Sequence, residues 1–389
     1  MARPRNLKKA ARVLMNRSTA ARRILNDMLS IPTAPFAEHR VIDYLERFCG
    51  KRKHLKLTHD RAGNVLVRVR IGKRVVKRPA CITAHLDHPG FVSDRMTAKG
   101  YVRAFWRGGV PPQYFIRSKV RFDVEGDWVR GVIQSVTLRG KRQHRVDNVI
   151  VEVPRDVPSG AVGMWDFPDP VVRGTRIYAR GCDDLAGAAA MLCAIDELVR
   201  SGNSCDAYFL FTRAEEVGFI GAIAACRLKT IPAKCFVVAM ETSSERPFAK
   251  MGDGPILRVG DKASTFTHAA TAYCHRIARE LARDDKRFKY QRKLMDGGTC
   301  ESSAYCTLGY EATGLCVALG NYHNVDAKRQ KLAPEYIDLD DFDNVVKWFV
   351  ELARAPHPYT GRDETLDEQI SGLERKYRPL LRHSTVRPC

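Results

Sequence analysis

No stretch of the 389-residue sequence approaches the roughly 20 consecutive apolar residues that a bilayer-crossing helix needs, and no apolar segment of the secretory kind opens it. The expected class is soluble and globular, with the cytoplasm as the expected compartment. Among the 12 cysteines there is no CxxC pair, so a structural zinc site of the ribbon type is not expected. The cysteines are scattered and several lie in apolar runs (Cys81, Cys193, Cys316), which predicts buried reduced thiols rather than disulfides. Acidic residues are in short supply: 44 Asp and Glu face 65 Lys and Arg, for a net charge of +21. Such a surface attracts anions without specificity. Yet the basic residues are spread along the chain with no interleaved aromatic platform, and no specific nucleic-acid partner is expected. The first 23 residues hold no acid at all, and resemble either a basic surface helix or an organelle transit peptide in composition. No internal repeat is seen.

What is present is 44% apolar content in a chain long enough for two domains, or one domain with an insertion. Apolar residues at helical spacing flank IPTAP between Ala20 and Cys49, predicting a helix, a turn and a second helix. Strands are predicted at 64–70 and 80–87. From Phe91 to Val172 the pattern changes to short alternating segments (YVRAFW, KVRFDV, VRGVIQSV, NVIVEV) broken by Gly and Pro, as in a small β-domain. Helical periodicity returns at Leu185–Val199. A strand at 207–212, helix near 219–228, a strand at 235–240, a helix over Ala269–Arg283, a strand at 314–319 and a helix over Asp340–Arg354 complete the series. Alternating strands and helices predict an α/β fold with a mixed, largely parallel sheet sandwiched by helices and a small β-domain inserted into it. The expected division is a basic arm over 1–23, a catalytic domain from 24–90 and 173–354, an inserted β-domain over 91–172, and a polar, loosely docked tail over 355–389.

Five segments end an apolar run with Asp, Glu or His: ITAHLDH (His85, Asp87), ARGCDDLAG (Asp183, Asp184), FTRAEEVG (Glu215, Glu216), VVAMETS (Glu241) and ALGNYHN (His323). Each has an ordinary explanation alone. Adjacent glutamates commonly mark a solvated strand end, and Asp183-Asp184 before an apolar helix would serve as an N-cap. In open α/β sheets, however, ligands bind outside the carboxyl ends of the strands, so all five can converge on one crevice. Two histidines with several carboxylates suit divalent first-row metals and suffice for two ions. Two-metal sites catalyse hydrolysis.

With these residues in place, the chain resembles the tetrahedral aminopeptidases, a family that includes glutamyl and deblocking aminopeptidases and cellulase-like metallopeptidases, within the co-catalytic zinc exopeptidases. The resemblance runs from about residue 22 to 354 and includes GYVRAFWRGG, GDWVRGVI, the DP before Asp183, GGT at 297–299 and the YHN loop. It implies a dinuclear metal-dependent aminopeptidase acting on peptides, with zinc the first choice and cobalt or manganese as alternatives. His85 and Glu241 would bind the first ion, Glu216 and His323 the second, and Asp183 would bridge them. Glu215 would be the general base. Two adjacent glutamates then have a reason: one binds metal while the other stays free to accept a proton. Asp87, two residues after His85, would orient the imidazole. The resemblance also implies self-association through the β-domain, from dimer to dodecamer.

Three positions depart from the family's pattern. Glu241 stands where Asp is usual, GGTCE replaces GGTDA so that Cys300 occupies an acidic position, and Leu185 stands where a basic residue commonly follows the metal loop. Glu241 favours an alternative, a related deacylase or carboxypeptidase. A further alternative is a catalytically inactive binder of anionic partners, against which the retained Glu215 argues.

Overall fold

A computed structural model of the chain describes residues 19–140 and 145–383. Most of the basic arm (1–18) and the last residues of the tail (384–389) lie outside the described residues. A helix over 19–30 (α1) and a second at His39–Gly50 (α2) come first, followed by strands β1 (Leu55–His59), β2 (Val65–Ile71) and β3 (Ala80–His85). Six strands follow at Gly90–Ala98, Tyr101–Arg107, Lys119–Val124, Asp127–Arg139, Arg145–Glu152 and Val162–Trp165 (β4 to β9). After β10 (Val171–Arg173) and β11 (Arg176–Ala179), helix α3 (Leu185–Ser201) precedes β12 (Cys205–Thr212), α4 (Ile220–Arg227), β13 (Phe236–Ser244) and β14 (Ile256–Asp261). Helix α5 (His268–Asp284), β15 (Gln291–Met295), α6 (Glu301–Thr307) and β16 (Ala312–Leu319) lead to two short strands at Val325–Asp326 and Lys331–Leu332 (β17, β18). Strand β19 (Glu335–Asp338), α7 (Leu339–Arg354) and α8 (Glu364–His383) end the described chain.

An eight-stranded sheet in the order β1-β2-β12-β3-β13-β16-β14-β15 forms the centre, and its four middle strands run parallel. Every residue of β3, β12 and β16 is buried, as expected of strands covered on both faces. The pleat sorts their side chains. Ile82, Ala84, Phe209 and Phe211 pack with α1, α2, α3, α5 and α7, whereas Cys81, Tyr208 and Leu210 pack with α4 and α6. All described cysteines are unpaired thiols. Among the described residues no helix is long and apolar enough to cross a membrane.

Strands β4 to β9 close into an antiparallel barrel in the order β4-β5-β8-β7-β6-β9. Its interior is an aromatic cluster of Phe91, Trp106, Phe115 and Trp165, with ring centroids 4.7–6.2 Å apart. Gly131 is required where β7 passes β8, because a Cβ there would lie 2.5 Å from the Glu152 carbonyl. Beyond the barrel, β11 pairs with β19 so that Ala179 faces Glu335. This pairing sets the start of β19 beside the loop that carries Asp183.

Two sequence expectations differ from the structure. Strand β3 stops at His85 rather than 87, since the chain turns there and Asp87 accepts amides from another loop. The polar segment read as a loosely docked tail contains the 20-residue helix α8.

Candidate active site

The four parallel strands end on one side of the sheet, and the predicted residues collect there. His85 is the last residue of β3, Glu241 lies in β13, and Glu215 and Glu216 follow β12 in a turn closed by the Gly218 amide donating to the Glu215 carbonyl (2.8 Å). Asp183 precedes α3, and His323 occupies the turn after β16. His85 Nε2 is 3.5 Å from both Asp183 Oδ1 and Glu241 Oε1, and 4.0 Å from Glu215 Oε2. His323 Nε2 is 3.0 Å from Glu216 Oε2 and 3.9 Å from Asp183 Oδ2. Donor atoms of His85, Asp183 and Glu241 fall within 4.8 Å of one another, as do those of Asp183, Glu216 and His323 and those of His85, Glu215 and Glu216. Asp183 is therefore common to two of the clusters, one oxygen toward each histidine.

The donor set fits divalent metal. A backbone carbonyl can only accept, so His85 Nδ1–H donates to the Asp87 carbonyl (3.0 Å) and His323 Nδ1–H donates to the Gly109 carbonyl (3.0 Å). Each tautomer leaves Nε2 with a lone pair aimed at the carboxylates. His85 Nε2, His323 Nε2, Asp183 Oδ1 and Glu216 Oε1 are all buried without a hydrogen-bond partner. Convergent buried lone pairs with no proton between them are costly unless a cation binds them. Without a bound ion, protons have to neutralise the same crowding. Burial and then the Glu241 charge push the Asp183 carboxyl well up, and burial likewise raises Glu215, with Glu241, Glu216 and Asp87 adding to it. Burial opposes a charge on His323, but the Glu216 carboxylate outweighs it and pushes the imidazole to about 10.

Main-chain clamps hold these groups in place, and the sequence reading missed most of them. Asp87, fully buried, accepts the Glu215 amide on Oδ1 (2.9 Å) and the Glu216 amide on Oδ2 (3.1 Å), with Oδ1 3.6 Å from His85 Nδ1. It touches the imidazole chiefly through its own carbonyl. Glu335 Oε2 accepts the Cys182 and Asp183 amides (2.7 and 3.1 Å), while its Oε1 accepts the His323 amide (2.8 Å). Glu38 Oε1 accepts the Ala214 amide and Oε2 pairs with Arg213. His88, the last residue of HLDH and outside the sequence-predicted set, donates from Nδ1–H to the Asp183 carbonyl (2.7 Å), with its Nε2 3.1 Å from Asn324 Oδ1. The His323 turn is strained: Asn321, His323 and Asn324 all have positive φ (56°, 53° and 63°). Glu335 and the Asn324 amide, which donates to the Arg180 carbonyl (2.7 Å), hold it there. Asp184 stands at the N-cap position of α3 but its side chain caps nothing.

A cleft of about 560 Å³, counting the part open to solvent, is lined by Asp183, Glu215, Glu216 and Glu241. Arg258 lines its wall, buried, with Nη1 donating to Ser243 Oγ (3.2 Å) and Nε unpartnered. Of the three departures, Glu241 reaches His85 as described, Leu185 is buried in the core at the start of α3, and Cys300 is buried before α6 with its amide on Asp261 Oδ2 (3.0 Å).

Residues 63–328 match the model of the M42 glutamyl aminopeptidase family. A curated relative from Acetivibrio thermocellus, named as an aminopeptidase, is 26% identical over 308 residues, covering 75% of this chain and 86% of the relative. Among solved structures, an aminopeptidase from the archaeon Desulfurococcus kamchatkensis superposes with a TM-score of 0.70 at 21% identity, covering 87% of this chain and 96% of that one. The TET1 peptidase of Pyrococcus horikoshii, which can assemble into a tetrahedron or a large octahedral shell, gives 0.69 at 22% identity over 86% of this chain and 99% of its own. At these identities the two superpositions establish the α/β fold with its inserted barrel.

Proposed function

Because the chain belongs to the M42 glutamyl aminopeptidase family and is a peptide hydrolase, we propose that it is a dinuclear metal-dependent aminopeptidase releasing N-terminal residues from peptides. The observation that carries the proposal is the pair of donor clusters sharing Asp183. His85 and Glu241 with Asp183 would hold one ion, and Glu216 and His323 with Asp183 the other, zinc first, with cobalt or manganese as alternatives. Bound there, the ions supply Lewis acidity toward the scissile carbonyl and the attacking water. Glu215 acts as the base. Its carboxylate takes the proton of the attacking water and returns it to the leaving amine nitrogen. The Asp87 clamp fixes both amides and so the turn from which the Glu215 and Glu216 carboxylates reach the site. Gly109, from the loop after β5, keeps the His323 tautomer correct, so the barrel takes part in the site.

Self-association through the barrel belongs to this proposal, supported by the assemblies of the TET1 peptidase. So does a cytoplasmic location, supported by the unpaired cysteines. Glu241 in place of Asp, beside the buried cation of Arg258, favours a second reading in which the cleft receives a carboxylate end, as in a carboxypeptidase or deacylase. A matched panel separates the two. Cleavage of free-amine peptides and silence on N-acylated ones supports the aminopeptidase; the reverse pattern supports the alternative.

A further inference from the structure

Helix α8 lies in the segment whose composition predicts a polar tail, yet Leu366, Ile370, Leu373, Tyr377 and Leu380 recur along it at spacings of four, three, four and three. That is the repeat of a two-helix seam. In this chain the stripe faces water: the five side chains are 40% (Leu366) to 62% (Leu380) exposed. The Asp363 carboxylate caps the helix by accepting the Leu366 amide (3.1 Å), and Arg276 tethers its start to the body by pairing with Glu364 (3.2 Å). Gly372 and Pro379 lie within it, and together they cost a helix interior about 4 kcal/mol relative to alanine. An exposed helix with those two residues gains by packing its apolar stripe on a partner.

The charges say which partner. Residues 364–374 contain Glu364, Asp367, Glu368 and Glu374 and no base, while residues 375–381 contain Arg375, Lys376 and Arg378 and no acid. Two copies in parallel would set acid on acid and base on base. Antiparallel copies set each acidic half on the other's basic half, align their dipoles favourably and bring the two stripes face to face. We infer that α8 pairs with α8 of a second copy of this chain, antiparallel about a twofold axis. Such an interface is isologous: each helix offers the same patch. The inference stands whatever the substrate is.

Three full-length variants test it by sedimentation velocity at tens of micromolar protein, with circular dichroism to confirm the fold. Asp367→Lys/Glu368→Lys/Glu374→Lys makes residues 365–381 of the helix wholly basic, Arg375→Glu/Lys376→Glu/Arg378→Glu makes the same residues wholly acidic, and Ile370→Glu puts a charge into the seam. All seven positions are exposed, so the folded body is expected to survive. Each variant should show a twofold fall in mass from the wild type, and an equimolar mixture of the basic and acidic variants should recover the wild-type mass. A monomeric wild type, or masses unchanged in all three variants, overturns the pairing and assigns the stripe to a different partner. A fall in mass that mixing does not reverse overturns the charge pairing between the two helices.

Discussion

Glu335→Gln isolates the clamp that joins two of the proposed ligand loops. The wild-type carboxylate is wholly buried and accepts three amides, two on Oε2 (Cys182 and Asp183) and one on Oε1 (His323). Glutamine preserves the volume but has one accepting oxygen. If that oxygen faces Cys182 and Asp183, the NH2 group meets the His323 N–H and that buried donor is orphaned, at a cost of about 1–3 kcal/mol. The two retained bonds become neutral, losing roughly 0.5–1 kcal/mol each relative to their charged form. The sum is about 2–5 kcal/mol in unfolding free energy, read by denaturant titration of the metal-free protein. The metal effect is separate. Loosening the His323 turn, which already holds three positive-φ residues, should weaken metal binding about 10- to 100-fold in competition with a chromophoric chelator. A shorter arm in Glu335→Asp cannot reach both loops and should behave no better than glutamine. Wild-type stability together with wild-type metal affinity in Glu335→Gln would show that Asp183 and His323 are positioned by something else.

Three further outcomes follow from the same geometry. Burial raises the Asp341 carboxyl to about 6 although it accepts the Gly252 and Gly254 amides. Between its unfolded value near 3.8 and about 6 the folded state holds the extra proton, so stability falls as pH rises through that window. Relative to Asp341→Asn, the wild type should lose up to about 3 kcal/mol between pH 4 and 6.5, and a flat difference across that range would refute the assignment. In the barrel, Phe115→Ala empties the aromatic cluster and should cost about 3–5 kcal/mol by thermal or denaturant unfolding; a loss under about 1 kcal/mol would mean that the barrel interior collapses around the gap. Asp87→Asn can accept only one of the Glu215 and Glu216 amides, and should lower metal affinity about 10-fold while sparing the fold; unchanged affinity would reduce Asp87 to a bystander.

Much of this arrangement is legible in the sequence because each proposed ligand sits where an apolar run stops, and the sheet brings such ends together. The helices α3, α5 and α7 were predicted to within a residue or two, their apolar stripes being long and unbroken. Short or polar elements were not legible. Strand β15 reads QRKLM and β1 reads LKLTH, with too few buried side chains to set an alternation, and α6 is only seven residues long. The clamps were hidden for a different reason. Glu38 lies 176 residues from the Ala214 amide it accepts and Glu335 more than 150 from those of Cys182 and Asp183, and nothing local distinguishes a buried acceptor from a solvated acid. Helix α8 escaped notice because charges, Gly372 and Pro379 dilute its apolar repeat.

The proposed division of labour has Glu215 move the proton while its neighbour Glu216 belongs to the metal set. It is tested most directly by elemental analysis and peptide turnover on one pair of proteins, wild type and Glu215→Gln. The substitution keeps the side-chain volume and both turn hydrogen bonds to the Glu215 carbonyl. It should therefore leave metal content unchanged while lowering kcat on a free-amine peptide by about 10²- to 10⁴-fold. Turnover close to wild type, or metal lost along with activity, would contradict the division of labour between the two glutamates.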